Sequence, residues 1–245
     1  MAEMLIYNRV TRLSSKDHAD LRLKSLQGDC SFARGINFVP MTGAELFEAA
    51  TDYPIVFAGD DDAPAPVALL SLSKGHNAFI TEDGRWQPGR YVPAFIRRYP
   101  FALLQNQRSD TDQFSVCIDD SYPGFVHGGT EGEPLFDHNG EQSTLLQNAV
   151  RFCQQYLYQT ERTREFVQRL QALDLLVRRD VEALDTNGGK YLLQDFRVLD
   201  LKALDQLDDA TVVDLYRQGF LGWIHALRVS MSRLERMPPA ATQAA

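Results

Sequence analysis

The chain has 245 residues, 44% of them hydrophobic and 24% charged, enough to bury about 70% of its unfolded surface in one large domain or two small ones. Twenty-five basic against thirty-three acidic side chains leave a net charge of −8, which repels phosphate polymers and sets nucleic acid aside as a partner. The longest apolar runs, such as Val67 to Leu72, fall far short of the ~20 residues a membrane-spanning helix needs, so no membrane span is expected.

The first residues, MAEMLIYNRVTRL, interrupt their apolar positions with charge and form no secretory hydrophobic segment, and three widely spaced cysteines, Cys30, Cys117 and Cys153, fit reduced thiols. Both observations predict a cytoplasmic protein, with surface association by another route left open. From Met1 to about Gly28 the chain is a polar lead-in with a local surplus of basic residues, and LRL at 21–23 is its only strand-like piece. Thr42 caps a predicted helix through Ala50, with Glu45 as its capping-box partner and Leu46, Phe47 and Ala50 on the buried face. Short apolar runs bounded by turn formers predict strands at 54–59, 66–72, 77–80, 101–105 and 114–119. No crossover helix fits between the first three, so an antiparallel sheet of about five or six strands is expected.

Between the strands at 77–80 and 101–105, Pro93 opens a second helix of about two turns, which Pro100 stops. After Gly140 the apolar period becomes helical, giving a helix from about Ser143 to Leu173, near 45 Å long. Its wide apolar stripe, Phe152 included, marks it as a possible homodimer surface. Thr186-Asn-Gly-Gly-Lys marks a hairpin turn between VEALD and KYLLQDFRVLD, the last strand candidate, which puts Tyr191 and Leu193, and as an option Phe196, on one face. A helical pair broken at Gln218-Gly219 follows, and residues 238–245 read as a disordered tail. The expected fold class is therefore α+β, one domain over 1–237, with a long helix and a C-terminal helical pair.

Two groups of residues carry potential chemistry. Arg97 and Arg98, flanked by Trp86, Tyr91 and Tyr99, put guanidinium groups beside aromatic rings, a set that can hold a small anionic ligand or stack on a planar one. The competing reading is scaffold, with basic side chains closing a helix C-terminus and the rings in the core. Neighbours on a helix point about 100° apart, so one arginine is expected in solvent and the other across the sheet, where it needs a carboxylate or an anion. The second group is a loop holding His127, Glu131, Glu133 and Asp137, an oxygen-rich segment that lacks EF-hand spacing and fits an ordered turn. His18-Ala19-Asp20 is the other pairing with metal-ligand potential, and it lies in the polar lead-in rather than on a strand lip, so neither a metal nor a cofactor is expected. Nucleophile-elbow, P-loop and dinucleotide-binding signatures do not occur in the sequence.

The order of Leu21-Arg22-Leu23, Asn37-Phe38-Val39-Pro40, Tyr53-Pro54-Ile55-Val56-Phe57, Gly84-Arg85-Trp86, Tyr91 through Phe101 and Glu131 through Asp137 resembles the bacterial SapC family associated with surface layers. The resemblance covers nearly the whole chain and brings no catalytic residues with it. It implies a non-catalytic accessory or binding protein in surface-layer or outer-membrane nutrient-uptake function, with a protein partner or a small anionic ligand. An enzyme or small-molecule sensor using the Arg/aromatic pocket is the alternative.

Overall fold

A computed structural model describes residues 5–26, 28–105, 114–184 and 190–237. In chain order the elements are β1 (Val10–Arg12), β2 (Leu21–Leu23), β3 (Phe38–Pro40), α1 (Leu46–Ala49), β4 (Ile55–Ala58), β5 (Ala65–Leu69), α2 (Ala94–Arg97), β6 (Phe101–Gln105) and β7 (Phe114–Asp119). They continue with β8 (Phe125–His127), β9 (Glu133–Pro134), α3 (Thr144–Ala172), β10 (Leu176–Leu184), β11 (Lys190–Leu199), α4 (Leu201–Leu204), α5 (Asp209–Arg217) and α6 (Phe220–Ser230). The fold is α+β with antiparallel sheets. The chain divides into two compact units, neither of them continuous in sequence.

The first unit comprises 1–29 and 95–158. It holds two three-stranded sheets, β1-β7-β6 and β8-β2-β9. The runs at 101–105 and 114–119 thus pair with each other and with β1 rather than joining the five-stranded sheet. The first half of α3 covers this unit's core, where Leu21, Phe101, Ile118, Leu135, Leu146 and Cys153 are all buried. Ser143 caps α3 by accepting the Leu146 N–H at 3.3 Å, the role its position before the apolar period predicts.

The second unit comprises 30–94 and 159–245 and holds the five-stranded sheet β10-β11-β4-β5-β3. The β4–β5 hairpin forms where two apolar runs flank the Asp60–Pro66 turn formers, pairing Ile55 with Ala68 and Ala58 with Ala65. β10 and β11 pair as expected, with a register shift between Arg179 and Val181, and the side chains of Tyr191 and Leu193 lie outside the described residues. The turn between the two strands, like the tail after 237, lies outside the described residues. Behind the sheet, Phe166, Phe220 and Trp223 pack ring against ring at 5.2 to 5.4 Å.

Three local expectations need correction. Residues 77–80 form only an isolated bridge, Ile80 with Trp86, because Asn77 spends its side chain on the Ala33 carbonyl and the Phe79 N–H and fixes a turn there. The helix after Pro93 is a single turn, Ala94–Arg97. Phe47 is 56% exposed while Leu46 and Ala50 are buried: position 47 sits one 100° step from 46, so the two cannot share a narrow face on so short a helix. The capping box itself is present, with Glu45 Oε2 accepting from the Thr42 N–H at 3.1 Å and from its hydroxyl at 2.7 Å.

Candidate functional site

Arg97 and Arg98 separate as the helical geometry requires. Arg97 is exposed, with its guanidinium carbon 5.2 Å from the centre of the Phe152 ring on α3. Arg98 is buried, and its guanidinium lies 4.5 Å from Phe95, 4.6 Å from Tyr156 and 5.6 Å from Tyr7. The buried cation therefore meets three aromatic faces, whose quadrupoles attract it.

Tyr99, the next residue, turns its phenol the other way and donates to Asp119 Oδ2 at 3.2 Å. Its ring meets Tyr7 and Tyr122 edge to face, each at 5.3 Å, and Tyr122 continues to Phe125 at 5.6 Å. Burial pushes the Tyr99 phenol up from its ordinary value, and the neighbouring Asp119 carboxylate pushes it further. Burial does the same to Tyr7, partly offset by Arg98, and raises the Cys153 thiol to about 11. These groups stay protonated at neutral pH, so they serve as donors and packing surface rather than as bases or nucleophiles.

Within the first unit, Arg97, Arg98 and Tyr99 line a cavity of about 390 Å³ together with Lys24, Tyr122, Glu133 and Phe152. That size suits a small molecule. Its wall combines guanidinium and ammonium groups with aromatic rings, an arrangement that can hold a carboxylate in a planar fork while a ring packs on the ligand face.

Trp86 and Tyr91, predicted in the same set, belong to the second unit. Trp86 is buried, its indole N–H donating to the Tyr53 hydroxyl at 2.9 Å, and the Tyr53 hydroxyl donates to the Tyr91 carbonyl. Tyr91 donates its own hydroxyl to Glu45 Oε1 at 3.0 Å, where the Ala94 N–H also donates at 2.5 Å. Trp86 thus ties the segment to Tyr53, while Tyr91 and Ala94 hold it to the capping-box Glu45 of the second unit.

The 127–141 loop is ordered by local bonds. Arg22 donates to the carbonyls of Glu131 and Gly132, and Lys24 pairs with Glu131 at 3.1 Å. Asp137 Oδ1 accepts from the N–H groups of Asn139 and Glu141, which holds its carboxyl below the usual range. His127 Nδ1 lies 3.4 Å from Asp20, and Glu133 reaches the cavity wall from β9. Among the described residues no group of three or more His, Cys, Asp or Glu side chains is placed to hold a metal ion.

Sequence reasoning missed Tyr7, Lys24, Tyr122 and Tyr156, which come to the site from separate chain segments with no local signal of their own. No helix among the described residues is long and apolar enough to cross a membrane. Neither the curated proteins nor the solved structures compared with this chain include a match. The sequence model of one family, SapC, matches residues 13–237. That span takes in both units almost entirely, and the chain belongs to the SapC family.

Proposed function

We propose that this SapC-family protein is a non-catalytic accessory protein of surface-layer or outer-membrane nutrient uptake, whose first-unit cavity binds a small planar carboxylate. The observation that carries the reading is the exposed Arg97 guanidinium seated on Phe152 at that cavity, beside a buried arginine wedged among rings. The raised phenol of Tyr99 on the same wall favours binding over acid–base catalysis. Free Cys30, Cys117 and Cys153 support residence in a reducing compartment, the cytoplasm.

Calorimetry with benzoate as the probe tests the binding role. Saturable uptake of one benzoate per chain is expected, weakened roughly tenfold by Arg97→Lys, which keeps the charge and loses the fork. Absence of saturable heat, or an Arg97→Ala variant that binds as the parent does, would overturn it. The accessory role extends to a homodimer through the 143–173 helix, on which Tyr158 stands 66% exposed. Light scattering should show a dimer that Tyr158→Glu splits, and a parent protein monomeric at micromolar concentration would refute this part.

A further inference from the structure

The second unit contains a larger concavity, about 550 Å³, formed where β4 and β11 meet the end of α6 and the start of α4. Its floor is apolar and belongs to the core: Ile55, Phe57 and Leu227 are each no more than 2% exposed, and Val198, Leu201 and Met231 complete the lining. Three cationic side chains reach the same concavity, Arg179 from β10, Lys202 from α4 and Arg228 from the last turn of α6, all exposed.

The distribution of partners sets these three cations apart. Arg90, Arg164, Arg169, Arg178 and Arg197 of the same unit each pair with an aspartate or glutamate. None of Arg179, Lys202 and Arg228 forms an ion pair with a carboxylate among the described residues. Two acids line the concavity beside them. Asp200 Oδ1 accepts the N–H groups of Lys202 and Ala203 and caps α4, and Asp180 is exposed, so three cations face two carboxylates and the rim carries a net charge of +1. A protein with a net charge of −8 keeps a locally positive rim here around an apolar floor.

We propose that this concavity binds an apolar molecule ending in a single carboxylate, of the medium-chain fatty acid type. The hydrocarbon covers the accessible apolar surface of Val198, Leu201 and Met231 over that buried floor, and the head group takes charge-assisted hydrogen bonds from Arg179, Lys202 and Arg228. Burial of the tail supplies most of the affinity, while the rim selects the sign of the head. This site lies entirely in the second unit and shares no residue with the cavity of Arg97 and Phe152.

Calorimetry of the full chain with decanoate, decanol and decylammonium, each below its aggregation concentration, tests the assignment. Decanoate should bind saturably at one per chain, and decanol and decylammonium roughly tenfold or more weakly, the loss expected when one charge-assisted hydrogen bond is gone. The double variant Arg179→Ala/Arg228→Ala should weaken decanoate by a similar factor with an unchanged melting temperature. Arg97→Ala, in the other cavity, should leave decanoate binding as it is, which keeps the two sites' outcomes distinguishable. The proposal is overturned by decanol binding as well as decanoate, by an indifferent double variant, or by no saturable heat up to about 1 mM. Binding to anionic phospholipid vesicles in place of free decanoate would also overturn it, assigning the surface to a membrane.

Discussion

Asp119 accepts five hydrogen bonds, the most of any carboxylate among the described residues of the first unit, and its replacement gives a sharp test of how that unit is held. It is fully buried at the end of β7. Oδ2 accepts from the Asn8 N–H at 2.7 Å and the Tyr99 hydroxyl at 3.2 Å; Oδ1 accepts from the Arg9 N–H at 3.1 Å and from the Ser121 N–H and hydroxyl at 3.1 and 2.6 Å. Asp119→Asn keeps the shape but turns one oxygen into a donor, which then faces donors whichever way the amide is set. Hydrogen bonds to a charged group contribute about 1.5 to 3 kcal/mol each, so losing two while weakening the rest should cost about 3 to 5 kcal/mol. That is a large share of the 5 to 15 kcal/mol typical of a folded protein.

The pH dependence follows from the same contacts. Burial alone would raise the Asp119 carboxyl, but the bonds from Ser121, Asn8 and Arg9 outweigh it and hold its pKa below the ordinary 3.8. A carboxyl depressed by folding adds stability that is fully present above 3.8 and fades as pH falls through the lower folded value. Urea unfolding of the parent and of Asp119→Asn, near neutral pH and at successive steps below 3.8, should therefore show a gap that narrows with acid. A loss under about 1 kcal/mol at neutral pH, or a gap that stays constant through the acid range, would refute the account.

Two further outcomes are expected from the packing. Gly43→Ala should destabilise by about 3 kcal/mol in urea melts, because a Cβ there would sit 2.3 Å from the rigid Trp223 ring, whereas Gly222→Ala on α6 should be close to neutral, since it meets only the tip of the exposed Phe47, 2.9 Å away, and gains helix propensity. Arg98→Leu should lower stability by about 2 kcal/mol or more through its lost ring contacts while Arg97→Leu leaves the melting temperature nearly unchanged, a contrast read by paired thermal melts and contradicted by equal shifts.

Elements set by local chemistry were legible in the sequence, and partners set by distant chain were not. β4, β5, β6 and β7 announced themselves as apolar runs between turn formers, and α3 by a three-to-four period held over many turns. β1 did not: Val10–Arg12 is three residues in a polar lead-in, and it becomes a strand because Cys117–Asp119, more than a hundred positions later, lies alongside it. The same limit governs the sheets. Periodicity says that 101–105 and 54–59 are both strands, and nothing in either run says that they belong to different sheets. The second-unit concavity was missed for this reason too, since Ile55, Arg179, Lys202 and Arg228 come together from four segments without a shared motif.

The arginine pair shows where local inference ends and long-range packing takes over. The 100° helical step predicts that Arg97 and Arg98 diverge, and Arg97, at the end of α2, is exposed while Arg98, just beyond it, is buried. What greets the buried one depends on Tyr7 and Tyr156, which lie about ninety positions before it and nearly sixty after. Those ring faces stabilise the buried cation, since the quadrupole attracts the guanidinium while the rings gain from leaving water. Fixing Arg98 among rings also seats α2 against α3, and so holds the neighbouring Arg97 over Phe152 at the cavity. On the proposed reading, stability and ligand recognition fall to adjacent residues of the same type, so substitution at 98 should register in melts and substitution at 97 in benzoate binding.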